Sequence, residues 1–167
     1  IAPADISAAL AANDTLIPGL KPRYAVTSYR LEYTTIGADG QWIRASGLVS
    51  VPVKAAGATS PVLSYQHGTI FRDAEAPSNN AVASEVVVAM ASLGYIVLAS
   101  DYVGYGVSKG KPHPYLISAP TAASVVDFLT APKTWRTQQG IADNQQLFIT
   151  GYSEGGYATM AAHRAMQ

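Results

Sequence analysis

Residues Gly151-Tyr152-Ser153-Glu154-Gly155-Gly156 decide how this chain is read. Before them runs Gln146-Leu147-Phe148-Ile149-Thr150, whose branched and aromatic side chains predict a buried strand. After them, Glu154 to Met166 carries Ala and Met at helical spacing. Strand, sharp turn and helix are the setting in which G-x-S-x-G lifts a serine hydroxyl clear of a sheet edge. The small residues have a steric reason. A β-carbon at Gly151 or Gly155 would collide with neighbouring backbone, and Gly156 leaves room for helix against strand. The helix N-terminus brings partial positive charge to the place where an oxyanion would develop. Ser153 is therefore the candidate nucleophile. Glu154 suits the first turn of the helix electrostatically.

Outward from this turn, strands and helices alternate. Pro61 to Gln66 and Tyr95 to Ser100 are short apolar runs, the second of the kind covered on both faces. Between them Asn79 to Leu93 has helical character, stopped by Gly94. Ala119 to Leu129 predicts another helix, with Pro120 tolerated in its first turn. Nearer the N-terminus, Tyr24 to Thr35 and Trp42 to Val53 predict two strands joined by a turn at Gly37-Ala38-Asp39-Gly40, the second alternating at Ile43, Ala45, Gly47 and Val49. A short helix over Pro3 to Leu10, with Asp5 as its N-cap, is broken by Ile17-Pro18-Gly19-Leu20-Lys21-Pro22. With no repeat and no linker, residues 1–167 predict part of one α/β domain: a mostly parallel sheet fronted by an antiparallel hairpin.

Two further motifs precede the elbow, each after a strand: Tyr65-Gln66-His67-Gly68-Thr69 and Asp101-Tyr102-Val103-Gly104-Tyr105-Gly106. In this order the three motifs resemble the α/β-hydrolase superfamily, above all its secreted lipase and esterase branches, from about Tyr24 to the end. The resemblance implies an acyl-enzyme on Ser153. It implies an oxyanion hole made by the N–H groups of Glu154 and Thr69, with Gly68 the alternative in the loop. His67 would order that loop. Asp101 would accept backbone N–H groups in a turn beside the site, with Gly104 and Gly106 supplying unusual dihedrals. Tyr102, Tyr105 and Tyr152 are candidates for the substrate pocket, with aromatic packing under the loop an equal alternative for Tyr102 and Tyr105. No cofactor and no metal are implied, and no helix opens at Gly106 as a dinucleotide fingerprint would require.

A serine nucleophile needs a base and the base an orienting acid. His67 belongs to the oxyanion loop. His163 lies ten positions after Ser153 on the same helix, roughly 15 Å along its axis. His113, in Lys111-Pro112-His113-Pro114-Tyr115, stays open on distance but stands out of order, because the family's order is Ser, acid, His. Asp101 precedes the nucleophile and is out of order as the acid. The expectation is that the triad acid and histidine, with the later strands, lie on a second polypeptide or fragment completing the fold. Otherwise the strand before Ser153 would present a bare apolar edge.

The bulk numbers exclude other classes. Hydrophobic residues make up 49% and charged residues 13% of 167, with 11 basic against 11 acidic. A neutral surface without a Lys/Arg cluster does not suit a nucleic-acid backbone. Cysteine is absent, so no thiolate metal site or disulfide can form within the chain. No apolar run approaches the roughly 20 residues of a membrane span. The start at Ile1 reads as a processed N-terminus and gives a secreted or periplasmic expectation. The leading expectation is a carboxylic-ester hydrolase acting on a small-molecule or lipid ester. An aminopeptidase or acyltransferase would use the same elbow, and a non-catalytic hydrolase-like binding module is the alternative from another class.

Overall fold

The computed structural model describes residues 1–12 and 19–167. Five strands form one mixed sheet in the order β1-β2-β4-β3-β5. Strands β1 (Val26–Ile36) and β2 (Trp42–Pro52) make the antiparallel hairpin, and β2 also pairs antiparallel with β4 (Ile96–Ser100). Strand β3 (Ser60–Gln66) pairs parallel with β4 on one side and with β5 (Asp143–Gly151) on the other. Helix α1 (Pro3–Ala11) precedes the hairpin, α2 (Val86–Ser92) crosses from β3 to β4, and α3 (Ser118–Thr130) and α4 (Pro132–Gln138) lead to β5. Helix α5 (Glu154–Ala165) follows the elbow.

The nearly all-apolar character of β4 follows from its two covered faces. Ile96 and Leu98 point into one core with Val49, Val62, Phe128 and Ala158, on the side of α3 and α5. Val97 and Ala99 point into the other, with Ile6, Leu48, Leu63 and Val88, on the side of α1 and α2. The simple alternation expected for β2 gives way to burial from Ala45 through Ser50. The strand sits between β1 and β4 with helices on both faces, so Ser46 and Ser50 are as buried as Ala45 and Val49.

Other boundaries differ for local reasons. The helix expected over Asn79–Leu93 is confined to Val86–Ser92, after a single 3₁₀ turn at Pro77–Asn79. The Asn79 amide donates to Asp73 O at 2.8 Å and the Asn80 amide to Glu85 Oε1 at 2.6 Å. Such side-chain bonding competes with a regular helical start. Asp5 lies in the first turn of α1 rather than capping it, and Pro3 opens the helix. The break at Ile17-Pro18 lies outside the described residues. The buried strand expected at Gln146–Thr150 is longer and is not buried: β5 forms a sheet edge, with Leu147 and Phe148 each 48% exposed.

Candidate active site

The elbow forms at the carboxyl end of β5. Ser153 has φ 55° and ψ −122°, a conformation an L-residue adopts only at a cost of about 1–3 kcal/mol. Its side chain is exposed, at the cap position of α5. The glycines around it are dictated by close approach. A β-carbon on Gly151 would run into the Gly155 carbonyl, and one on Gly155 into the carbonyl oxygens of Gln66 and His67. The turn is thus wedged against the end of β3, where the loop of residues 67–70 begins.

That loop reaches Ser153. A β-carbon on Gly68 would lie 3.3 Å from the Tyr152 carbonyl oxygen and 3.5 Å from Ser153 Cβ. The His67 ring is buried, with Nδ1 2.8 Å from Gly68 O and Nε2 3.3 Å from Asp101 O. A neutral imidazole has one N–H, and the shorter contact puts it on Nδ1. Burial holds His67 below the usual imidazole range despite the two carbonyls and the nearby carboxylates. Thr69 is exposed, its hydroxyl 3.3 Å from Tyr115 Oη. Past Ile70, the Glu75 carboxylate accepts the Phe71 and Arg72 N–H groups at 3.1 and 2.9 Å and pairs with the Arg72 guanidinium at 2.8 Å. The guanidinium first, then the two N–H groups, hold this carboxyl at about 2. A cleft of about 500 Å³ opens beside the loop, walled in part by Tyr65, Thr69, Ile70, Glu85 and Tyr152. Tyr152 is 76% exposed above it.

Residues 81–167 match the prolyl oligopeptidase family. The chain belongs to that family. The prolyl oligopeptidase-family match covers the elbow, β4, the Asp101 turn and helices α2 to α5. A provisionally named hydrolase from Legionella pneumophila is 31% identical, with a TM-score of 0.86 over 96% of this chain and 44% of its own. LipA of Xanthomonas oryzae, a rice cell wall degrading esterase, is 29% identical, with a TM-score of 0.84 over 99% of this chain and 42% of its own. Candida antarctica lipase A, at 22% identity and a TM-score of 0.55, shares the fold. No curated protein sequence matches the chain. The chain therefore spans less than half the length of these solved structures, and its fold is that of the α/β-hydrolase superfamily.

Within this family member, the turn after β4 supports the loop of residues 67–70. Asp101 is buried. Its Oδ2 accepts the Ser46 and Ser78 hydroxyls at 2.6 and 2.5 Å, and its Oδ1 accepts Ser78 N–H at 2.8 Å. No histidine touches its carboxylate, so it braces the turn. Tyr102, at φ 63°, donates its hydroxyl to His67 O at 3.0 Å, and Tyr105 donates to Ile70 O at 2.7 Å. The two tyrosines hold the loop at both ends. The expected pocket role of Tyr102 is corrected accordingly: it is 2% exposed and stacks on His67 with ring centres 4.1 Å apart. Packing in the core, not contact with a cleft, accounts for it.

Glu154 departs from the role expected of it. A carboxylate serving only a helix terminus can stay in water, but this one is buried and 2.7 Å from His113 Nε2. His113 was the unplaced histidine of the sequence. Nothing local in Pro112-His113-Pro114 signals the pairing, which joins residues 41 positions apart. His163 is exposed near the end of α5. Among the described residues, no group of three or more His, Cys, Asp or Glu side chains is arranged to hold a metal. No described helix is long and apolar enough to cross a membrane.

Proposed function

We propose that this chain carries the nucleophile and oxyanion hole of a serine hydrolase that cleaves carboxylic esters. One observation carries the reading: an exposed serine in a strained conformation at a helix N-terminus, with Gly68 of a second loop packed against it. Ser153 Oγ attacks the ester carbonyl carbon. The oxyanion accepts from the backbone N–H groups of Glu154 and Thr69. The carbonyl re-forms, the alcohol leaves with a proton, and water later releases the acid from the acyl-serine. In this reading the base that takes the serine proton, and its orienting acid, come from polypeptide outside these 167 residues. His67 and His113 are both committed elsewhere. The bare apolar edge of β5 is consistent with further strands from that polypeptide. The esterase name of LipA, aligned along 99% of this chain, supports ester over amide.

A peptidase is the second reading, favoured by the family name. The test takes the complete protein. Labelling by a fluorophosphonate that disappears in Ser153→Ala, with turnover of p-nitrophenyl acetate far above that of an aminoacyl anilide, is the expected result. Preference for the anilide selects the peptidase, and absence of labelling removes both readings.

A further inference from the structure

We propose that His113 is a positioning residue for the oxyanion hole: by clasping the Glu154 carboxyl group, it fixes the backbone N–H that follows the nucleophile. The inference rests on the reading of Ser153 and Glu154 above. It begins with where Glu154 points. Its side chain is 3% exposed, and burying a carboxylate is costly unless it is paired and hydrogen-bonded. The partner is His113, itself 19% exposed, with Nε2 2.7 Å from Glu154 Oε1.

His113 is held on its other side. Nδ1 is 2.8 Å from Val103 O. Gly104, at φ 105°, lies so close that a β-carbon there would come within 2.8 Å of His113 Cβ. The imidazole ring lies 5.1 Å from the Tyr105 ring and 6.1 Å from those of Tyr102 and Tyr115. Tyr102 and Tyr105 hold the backbone of the oxyanion loop, and Tyr115 meets the Thr69 hydroxyl. One cluster therefore touches both halves of the oxyanion hole.

Proton accounting gives the pair a distinctive signature. The Val103 carbonyl only accepts, so Nδ1 carries a hydrogen. The contact between Nε2 and Oε1 then holds one more proton, as imidazolium with carboxylate or imidazole with carboxylic acid. Without it, two lone pairs would face each other. Burial pulls the imidazole down, but the Glu154 hydrogen bond, the Val103 carbonyl and the Glu154 charge outweigh it, and His113 stands above the usual range. The other titratable groups around the pair are His67, Asp101, Tyr102, Tyr105 and Tyr115. Burial holds His67 below the usual imidazole range and pushes the Tyr102 and Tyr105 phenols up. The shared proton is therefore lost as pH rises through the raised value of His113. Oxyanion stabilisation should weaken with it.

The experiment measures kcat and KM for p-nitrophenyl acetate from acid to alkaline pH, on the complete protein and on His113→Ala and Glu154→Gln. A glutamine amide can donate to a neutral His113 Nε2, so Glu154→Gln keeps a hydrogen bond that needs no shared proton. The expected result is an alkaline fall in kcat for the wild type that is absent from both variants. For His113→Ala, kcat at neutral pH should drop about tenfold or more while KM changes less than about twofold. A folded His113→Ala with wild-type kcat overturns the inference, as does an alkaline fall retained by Glu154→Gln. If His113→Ala does not fold, Glu154→Gln decides alone. Wild-type protein that neither hydrolyses the ester nor reacts with a fluorophosphonate removes the ester-hydrolase reading, and this inference with it. A labelled, active enzyme with unaffected variants removes this inference alone.

Discussion

Gly155 lies so close to the Gln66 carbonyl that no β-carbon fits between them. The obstruction is backbone at the end of β3, which cannot swing aside as a side-chain tip would. Gly155→Ala is therefore expected to cost about 3 kcal/mol. Urea unfolding reads the loss, and a wild-type midpoint would mean that the elbow is not wedged against β3.

The strained backbone of Ser153 gives a prediction of opposite sign. Glycine adopts positive φ without strain but adds freedom to the unfolded chain. Ser153→Gly is expected to raise stability by about 1 kcal/mol while abolishing fluorophosphonate labelling. Thermal melting beside Ser153→Ala separates the two effects, because alanine removes the hydroxyl and keeps the strain.

The tyrosine bonds to the loop of residues 67–70 are separable too. Tyr102→Phe would leave the His67 carbonyl without its partner in a buried site, at a cost of about 2 kcal/mol. Tyr105→Phe acts on the Ile70 carbonyl in a half-buried place and should cost about 1 kcal/mol. In the complete enzyme both should lower kcat more than they raise KM. Equal losses of stability in the two variants would contradict the difference in burial.

His113 should also register in stability. Its raised folded value means that the pair contributes fully below the usual imidazole range and loses that contribution as pH rises through the folded value. His113→Ala should therefore destabilise by about 1 kcal/mol more in acid than in alkali, discounting for partial exposure. Denaturant midpoints at paired pH values test this, and a pH-independent difference would rule it out.

The elbow was legible in the sequence because its glycines answer a local steric demand. Gly151, Ser153 and Gly155 can be read from their own spacing. The order of the strands and of helices α1, α2, α3 and α5 was legible for a related reason, α4 alone being unforeseen: β4 announces two covered faces through its apolar run. What could not be read depended on distant partners. Glu154 looked like a helix-terminus charge because its companion lies 41 residues away between two prolines. Tyr102 could be pocket or packing until the His67 carbonyl was found on its hydroxyl. Leu147 and Phe148 read as buried because composition reports the tendency to be covered, not what does the covering.

The anchoring of Asp101 bears on how the site comes into being. Its partners Ser46 and Ser78 lie 55 and 23 residues away. The loop beside Ser153 is unbraced until the hairpin, the end of β4 and the turn at Pro77–Asn79 have met. Closures of that length come late in folding. A newly made chain would acquire its sheet before a braced loop at residues 67–70. Loss of Asp101 would then quicken unfolding far more than it slowed folding.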